Sequence, residues 1–500
     1  MRIQDFLKEH GLTTNPFAQE DAKEDPVFKR CMTESRHPCW DKVYGEPQEP
    51  ASAVVFGDKG SGKTALRLQM REAIAAWNAA PENQDRRVFL IEYDDLNPFL
   101  DSFCSREGED LARWRLWDHM DAIFSLAVRQ LVGRILGGHG TDDVLGPPLT
   151  SQRIRRLDQG QRRDLLMLAA MYDQSPEMSR VVRWEQLRRR LHYWAWRAAA
   201  PRLFAVLADI AVLAAGGWAV WHFGAHSVVK FLETHPWAWA ALVVLPLVWI
   251  PHLRRLWAAR RCAKDVRRNV RVLERRLGEL EAMILRFLPA ALEGQPIRHL
   301  EGADARYALL SRLQAILKTL GYPSIVVLAD RVDEPHAVEG RPEKMWQLLD
   351  PLFELKFLKH PGLGIKLLLP RELYPYLERA DEDFLRRARL DKLNLVDSLV
   401  WTGQSLYDLA NERLRKCASG ENGEPSLRDL LDSTIRDEEI IDYFDRMRIP
   451  RNLFKFMFRL LNNHCMDHTG DRPVLQINRD TWVRTRAAFE KDLDRAMMAG

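Results

Sequence analysis

Ala53-Val54-Val55-Phe56 is a short apolar run. Gly57-Asp58-Lys59-Gly60-Ser61-Gly62-Lys63-Thr64 follows it, and Ala65-Leu66-Arg67-Leu68-Gln69-Met70 continues in a helical pattern. Strand, glycine-rich loop and helix in that order restrict the chain to folds that turn a buried strand sharply into a helix. The glycines let backbone N–H groups wrap an anion, and the positive end of the helix points at it. The G-x-x-x-x-G-K-T spacing predicts a nucleotide-phosphate site with Mg²⁺ beside the phosphates. Gly57 to Lys63 form the cradle, Lys63 reaches the β and γ phosphates, and Thr64 ligates the metal.

A second signal lies far downstream. Ser324-Ile325-Val326-Val327-Leu328-Ala329 is a continuous apolar run of the kind found in buried parallel strands, and it ends at Asp330, with Asp333 and Glu334 following. An acid at the carboxyl end of such a strand is placed to ligate Mg²⁺, so Asp330 is the expected second metal residue. Glu334, with Asp333 as its substitute, is expected to polarise the attacking water. Residues 88–93 and 365–369 read as further strands, with a helix at about 343–359 between the later pair. Arg371 follows the last strand and is expected to face the γ-phosphate. Alternating strands and helices predict an α/β fold, a doubly wound parallel sheet with nucleotide at the strand carboxyl ends.

Net charge of +4 and a mean hydropathy of −0.32 describe an ordinary soluble chain. Those averages conceal a local shift. From Glu177 to Ala290 there are 19 Lys/Arg and 8 Asp/Glu, a net of 19 − 8 = +11. Leu203 to Phe223 is 21 residues with Asp209 its one charge, and Pro236 to Leu253 is 18 residues without any. Both are long enough for a bilayer, which needs roughly 17–25 apolar residues. Arginines flank both outer ends, and nine of the sixteen tryptophans lie between 184 and 257, as an aromatic belt requires. The pattern predicts a transmembrane hairpin with both flanks cytoplasmic and its basic feet on anionic lipid headgroups. A helical hairpin buried in a large soluble domain is the competing reading. Asp209 is either protonated near the interface or paired between subunits. Val266, Val270, Leu273, Leu277, Leu280, Ile284 and Phe287 form a heptad seam, which predicts a helical stalk. A nucleic-acid face could also explain the arginines but is not supported further.

These motifs resemble the P-loop NTPases of the STAND/AAA+ group. The carrying residues are the Gly57–Thr64 loop, Asp330-Arg331-Val332-Asp333-Glu334, the strand ending at Arg371, and Pro450-Arg451 in a C-terminal helical segment. A transmembrane hairpin between the two motifs is similar to the KAP family, although the Asp330 segment is closer to the STAND pattern. The resemblance implies that Arg451 is a second nucleotide sensor on an α-helical lid. It implies four regions: 1–150 with the glycine loop, 151–300 as inserted stalk and membrane helices at about 203–223 and 236–253, 301–400 as the second NTPase part, and 401–500 as lid with a winged-helix-like end. The expected protein is a membrane-anchored cytoplasmic ATPase of the bacterial inner membrane, multi-pass, with both termini in the cytoplasm. ATP hydrolysis would switch its conformation or assembly state in signalling or antiphage defence, acting as a homo-oligomer or on a partner effector. An ATPase energising envelope secretion, and a nucleotide-gated membrane scaffold with negligible hydrolysis, are the alternatives.

Other features carry less. Arg386, Arg387 and Arg389 could act on a neighbouring subunit but read better as a solvated helix face. Cys31, His37 and Cys39, and His464, Cys465 and His468, lack a complete four-ligand pattern. Six cysteines without paired spacing predict a reducing compartment.

Overall fold

The computed structural model describes residues 1–137, 143–174, 178–193, 196–224, 229, 234, 237–287, 302–379, 382–389, 393–419, 424–468 and 474–499. Five parallel strands form one sheet: β1 (Ala53–Gly57), β2 (Val88–Tyr93), β3 (Ser324–Ala329), β4 (Leu363–Pro370) and β5 (Asn394–Val396), in the order β2-β3-β4-β1-β5. The fold is therefore mixed α/β. Every residue of β1 and β3 is buried, so these strands tolerate apolar side chains on both faces. Register follows the pairs Ala53↔Lys366, Ile325↔Leu363 and Val88↔Ser324. These pairings align the carboxyl ends of β1, β3 and β4. Helix α1 (Lys63–Ala79) leaves the β1 end. The single helix expected over 343–359 is two short helices, Pro342–Leu349 and Leu355–Leu358, separated by a 3₁₀ turn at Asp350–Leu352. Pro351 lacks the N–H that continuation requires.

The chain divides into two compact units. One comprises Met1–Leu96, Asp143–Gly146 and Ser324–Gly500; the other comprises Asn97–Asp142 and Pro147–Pro323. The insertion expected over 151–300 thus lies within a larger unit that begins just after β2.

That second unit is helical. Its core packs α2 (Leu116–Leu136), α3 (Gln159–Tyr172), α4 (Arg180–Arg190) and a helix over Leu277–Ile284. Arg306 and Asp121 are buried together at 3.0 Å, and the Tyr172 hydroxyl donates to the same carboxylate at 2.7 Å. Trp184 stacks edge-on against Phe287. Two long helices follow, α5 (Trp196–Phe223) and α6 (Trp237–Asn269), and they pack on each other. Helix α7 (Ala303–Thr319) leads back to β3.

The stalk expectation needs correction. Helix α6 ends at Asn269, and residues 270–276 turn before the next helix begins at Leu277. Asn269 and the β-branched Val270 and Val272 are poor helix formers. The seam residues Val266, Val270, Leu273, Leu280, Ile284 and Phe287 are nonetheless buried, as core of the helical unit. The apolar repeat reported burial, whereas helical continuity failed locally.

Arg202–His222 is the one helix among the described residues long and apolar enough to cross a membrane, and almost none of it is buried. The second expected span lies in α6, but residue 236 and the side chains of 237–246 fall outside the described residues, as does most of the 224–235 connection. Asp209 accepts a hydrogen bond from Trp249 Nε1 at 3.1 Å, a partner within the same chain.

The C-terminal part of the first unit is α8 (Gly403–Lys416), α9 (Asp437–Met447), α10 (Pro450–Asp467) and α11 (Arg479–Ala499). Their shared core takes in the N-terminal residues Phe6, Leu7, Leu12 and Phe17. Thr13 bonds through its N–H and hydroxyl to the Cys417 carbonyl. Ile477 forms an isolated parallel bridge with Leu431 just before α11.

Candidate functional site

The loop between β1 and α1 is shaped by its glycines. Gly60 has φ +92° and Gly62, which precedes the first residue of α1, has φ +103°, a region that side chains oppose. Lys63 Nζ turns back and donates to the carbonyls of Gly57 at 2.6 Å and Asp58 at 3.1 Å. Burial lowers the Lys63 pKa, while Asp330, Asp333 and Asp58 oppose that shift. The start of α1 carries no side-chain cap. Its first N–H groups are therefore available to an anion.

Asp330 follows β3 and is buried. Its carboxylate accepts from the Thr64 hydroxyl at 3.3 Å. Strand β4 lies between β1 and β3, so this contact spans the sheet at its carboxyl edge. Burial pushes the Asp330 carboxyl upward, and Arg67, the Arg331 N–H and Lys63 hold it down. Arg67 is fully enclosed. It reaches Asp330 and Glu92 at 3.5 Å and makes a close ion pair with Asp94. Sequence reasoning missed Arg67. Its position one helical turn after Lys63 was the available signal, because i and i+4 share a face.

A cleft of about 330 Å³ collects Lys59, Gly60, Gly62, Lys63, Thr64, Asp330, Asp333, Glu334 and Arg451. The expected residues converge there, with two differences in geometry. Asp333 and Glu334 are exposed, and Glu334 pairs with Arg331 at 3.2 Å. Arg371 faces the carboxylate of Asp58 at 3.5 Å and is not part of the cleft lining.

Arg451 is brought in from α10. Its N–H donates to the Gly60 carbonyl at 3.4 Å. A Cβ placed on Gly60 would come within 2.6 Å of the Arg451 Cβ, so the helix meets the loop because position 60 has no side chain. Ser61 is held by Trp401, whose Nε1 donates to the Ser61 carbonyl at 2.9 Å. His37 stacks edge-on against Trp401 with ring centroids 5.0 Å apart. Its Nδ1 accepts from the Cys39 N–H at 3.1 Å, which leaves Nε2 as donor to the Val400 carbonyl at 3.0 Å. Burial holds the His37 pKa below the ordinary histidine value. Trp401 did not stand out in the sequence and His37 did so only beside Cys31 and Cys39, because these roles depend on contacts more than 300 positions away.

No family model, curated protein or solved structure matches this chain.

The oxygen donors Thr64 and Asp330 suit Mg²⁺, which is held by one or two protein oxygens together with substrate phosphates and water. Among the described residues no cluster of three His, Cys, Asp or Glu could hold a metal by itself. His464 Nε2 bonds the Val474 carbonyl and its ring packs on His468. Arg386 pairs with Asp383 on an exposed helix, and the Arg387 side chain lies outside the described residues.

Proposed function

We propose that this chain is a Mg²⁺-dependent ATPase of the P-loop type, resembling the STAND/AAA+ group and KAP-like in its inserted hairpin. The observation that carries the reading is the meeting of Thr64 and Asp330 beside Lys63 at the uncapped start of α1. Phosphates take the place now held by the Gly57 and Asp58 carbonyls at the Lys63 ammonium. The N–H groups at the start of α1 orient them, at little reorganisation cost. Thr64 and Asp330 hold the Mg²⁺, which neutralises charge on the phosphate oxygens. Glu334 leaves Arg331 to orient water, with Asp333 as substitute. Arg451, joined to the loop backbone, transmits the state of the site to the helical lid.

The expected biological use is a change of conformation or assembly state in bacterial signalling or antiphage defence, at the inner membrane. The almost wholly exposed apolar helix Arg202–His222 supports the anchoring, and its α6 neighbour completes the hairpin in this reading. Lys63→Ala in the purified full chain should abolish ATP binding and turnover. Unchanged turnover would sink the assignment.

One observation favours a second reading, a nucleotide-gated scaffold with negligible hydrolysis. Glu334, exposed at the edge of the cleft, is paired with Arg331 at 3.2 Å. Glu334→Gln separates the two readings. In the ATPase, turnover falls by about 10²–10⁴-fold with binding kept, the range for loss of a general base. In the scaffold, there is no turnover to lose.

A further inference from the structure

The helical unit contains a cavity of about 720 Å³ that has no part in the nucleotide reading. Arg106, Arg180, Arg267, Arg275 and Arg276 line it. The acids on its wall are Glu274 and Glu279, which leaves an excess of 5 − 2 = +3. Arg275 is the informative member. It is only 5% exposed, its Nη1 donates to the Asp173 carbonyl at 2.8 Å, and its buried Nε and Nη2 have no hydrogen-bond partner among the described residues. Those two donors are sealed from solvent, so Arg275 adds its buried positive charge to the cavity wall, a charge that an anion there would offset. Burial, with Arg180 adding to it, pushes Arg275 down to about 9. Burial and the facing Arg267 also lower Arg106.

The start of α4 lines the same cavity through Met178, Ser179 and Arg180. That helix of 11 residues has no side-chain cap and no acid in its first turn, so its N–H groups add to the positive character. Arg106 and Arg180 are already fixed in place by the Val270 and Glu274 carbonyls, at 2.8 and 2.7 Å. The guanidiniums are thus partly preorganised.

We infer that this cavity binds a soluble small molecule carrying two or more phosphate groups. Planar guanidiniums take phosphate oxygens two at a time. The volume falls in the range of small-molecule sites, roughly 300–1,000 Å³, and exceeds what one phosphate fills. A lipid headgroup shares this chemistry, but distance disfavours it. Arg267 lies 14 residues beyond Leu253 on the continuous helix α6, a rise of about 21 Å. The headgroup layer is only about 5–8 Å deep on each side of the hydrocarbon.

The test uses the full chain in detergent with Lys63→Ala, so that the glycine loop does not compete, and inorganic tripolyphosphate as the probe. Calorimetry should show saturable uptake, with slowed hydrogen exchange over residues 178–180 and 267–279. Arg267→Glu with Arg276→Glu, both at exposed positions, should weaken uptake at least roughly tenfold while the melting temperature of the ligand-free protein stays the same. Absence of saturable uptake, or uptake indifferent to the charge reversal, overturns the inference. Protection of 267–279 by phosphatidylcholine vesicles containing phosphatidylglycerol, but not by tripolyphosphate, assigns the arginines to the membrane surface instead.

Discussion

The Thr64 hydroxyl donates to a carboxylate oxygen of Asp330 at 3.3 Å, across 266 positions of sequence. Strands β1 and β3 are not neighbours, since β4 separates them. The contact therefore closes only when β1, β4 and β3 are in register. Asp330→Asn keeps the shape and removes the charge. Mg²⁺-dependent turnover should fall by about 10²-fold or more, on the scale of losing one preorganised electrostatic group. Nucleotide binding measured with the metal chelated should change little. A Mg²⁺ dependence identical to wild type would remove Asp330 from the metal site.

Position 60 has no room for a side chain. Gly60→Val forces φ +92° on a β-branched residue and drives its Cβ into Arg451. Nucleotide affinity should drop more than about tenfold, since strain of roughly 1–3 kcal/mol falls on the loop itself. Equilibrium binding of a fluorescent ATP analogue reads the loss, and Arg451→Gly in the same chain should restore part of it. No restoration would mean that backbone strain alone accounts for the loss.

His37 gives the site an acid sensitivity. Its folded pKa is depressed, so the stability it contributes is present above the ordinary histidine value of about 6.5 and is lost as pH falls through the folded value. Protonation would place a proton on Nδ1, against the Cys39 N–H. Wild type should lose melting temperature faster than His37→Phe between neutrality and about pH 5. Parallel curves for the two proteins would assign the acid response to other groups.

Trp249 is the described partner of Asp209 on the apolar helix pair. If these helices span a bilayer, carbonate washing leaves the chain with the membrane pellet. Release into the supernatant would favour a soluble hairpin. Trp249→Phe leaves the carboxyl without this donor and should destabilise the helix pair by about 0.6–1.7 kcal/mol, the range measured for bonds between membrane helices. Unfolding of the purified protein in mixed micelles checks it.

Local elements were legible in the sequence, whereas tertiary assembly was not. Ser324–Ala329 could be read because a strand buried on both faces is almost continuously apolar and this one runs into Asp330, while Val88–Tyr93 is apolar except at the half-buried Glu92. The loop could be read because its glycines have no other economical use. The order β2-β3-β4-β1-β5 could not, since nothing in an apolar run states its neighbours. The seam from Val266 to Phe287 misled for a related reason. A heptad repeat reports which side chains are buried, and it says nothing of a turn at 270–276 placed between two helices. The roles of Arg67, His37 and Trp401 escaped notice because each works through a distant partner: Asp330 for Arg67, the Val400 carbonyl for His37, the Ser61 carbonyl for Trp401.

Thr13 and Cys417 meet across 404 positions, and Phe6, Leu7, Leu12 and Phe17 are buried against helices that the ribosome makes about 400 residues later. At roughly 5–20 residues per second, the N-terminal segment emerges on the order of 20–80 s before its partners exist. Through that interval four large apolar side chains have no native surface to cover them. Early chaperone occupancy and a yield sensitive to translation rate are the expected consequence of joining these distant segments in one core.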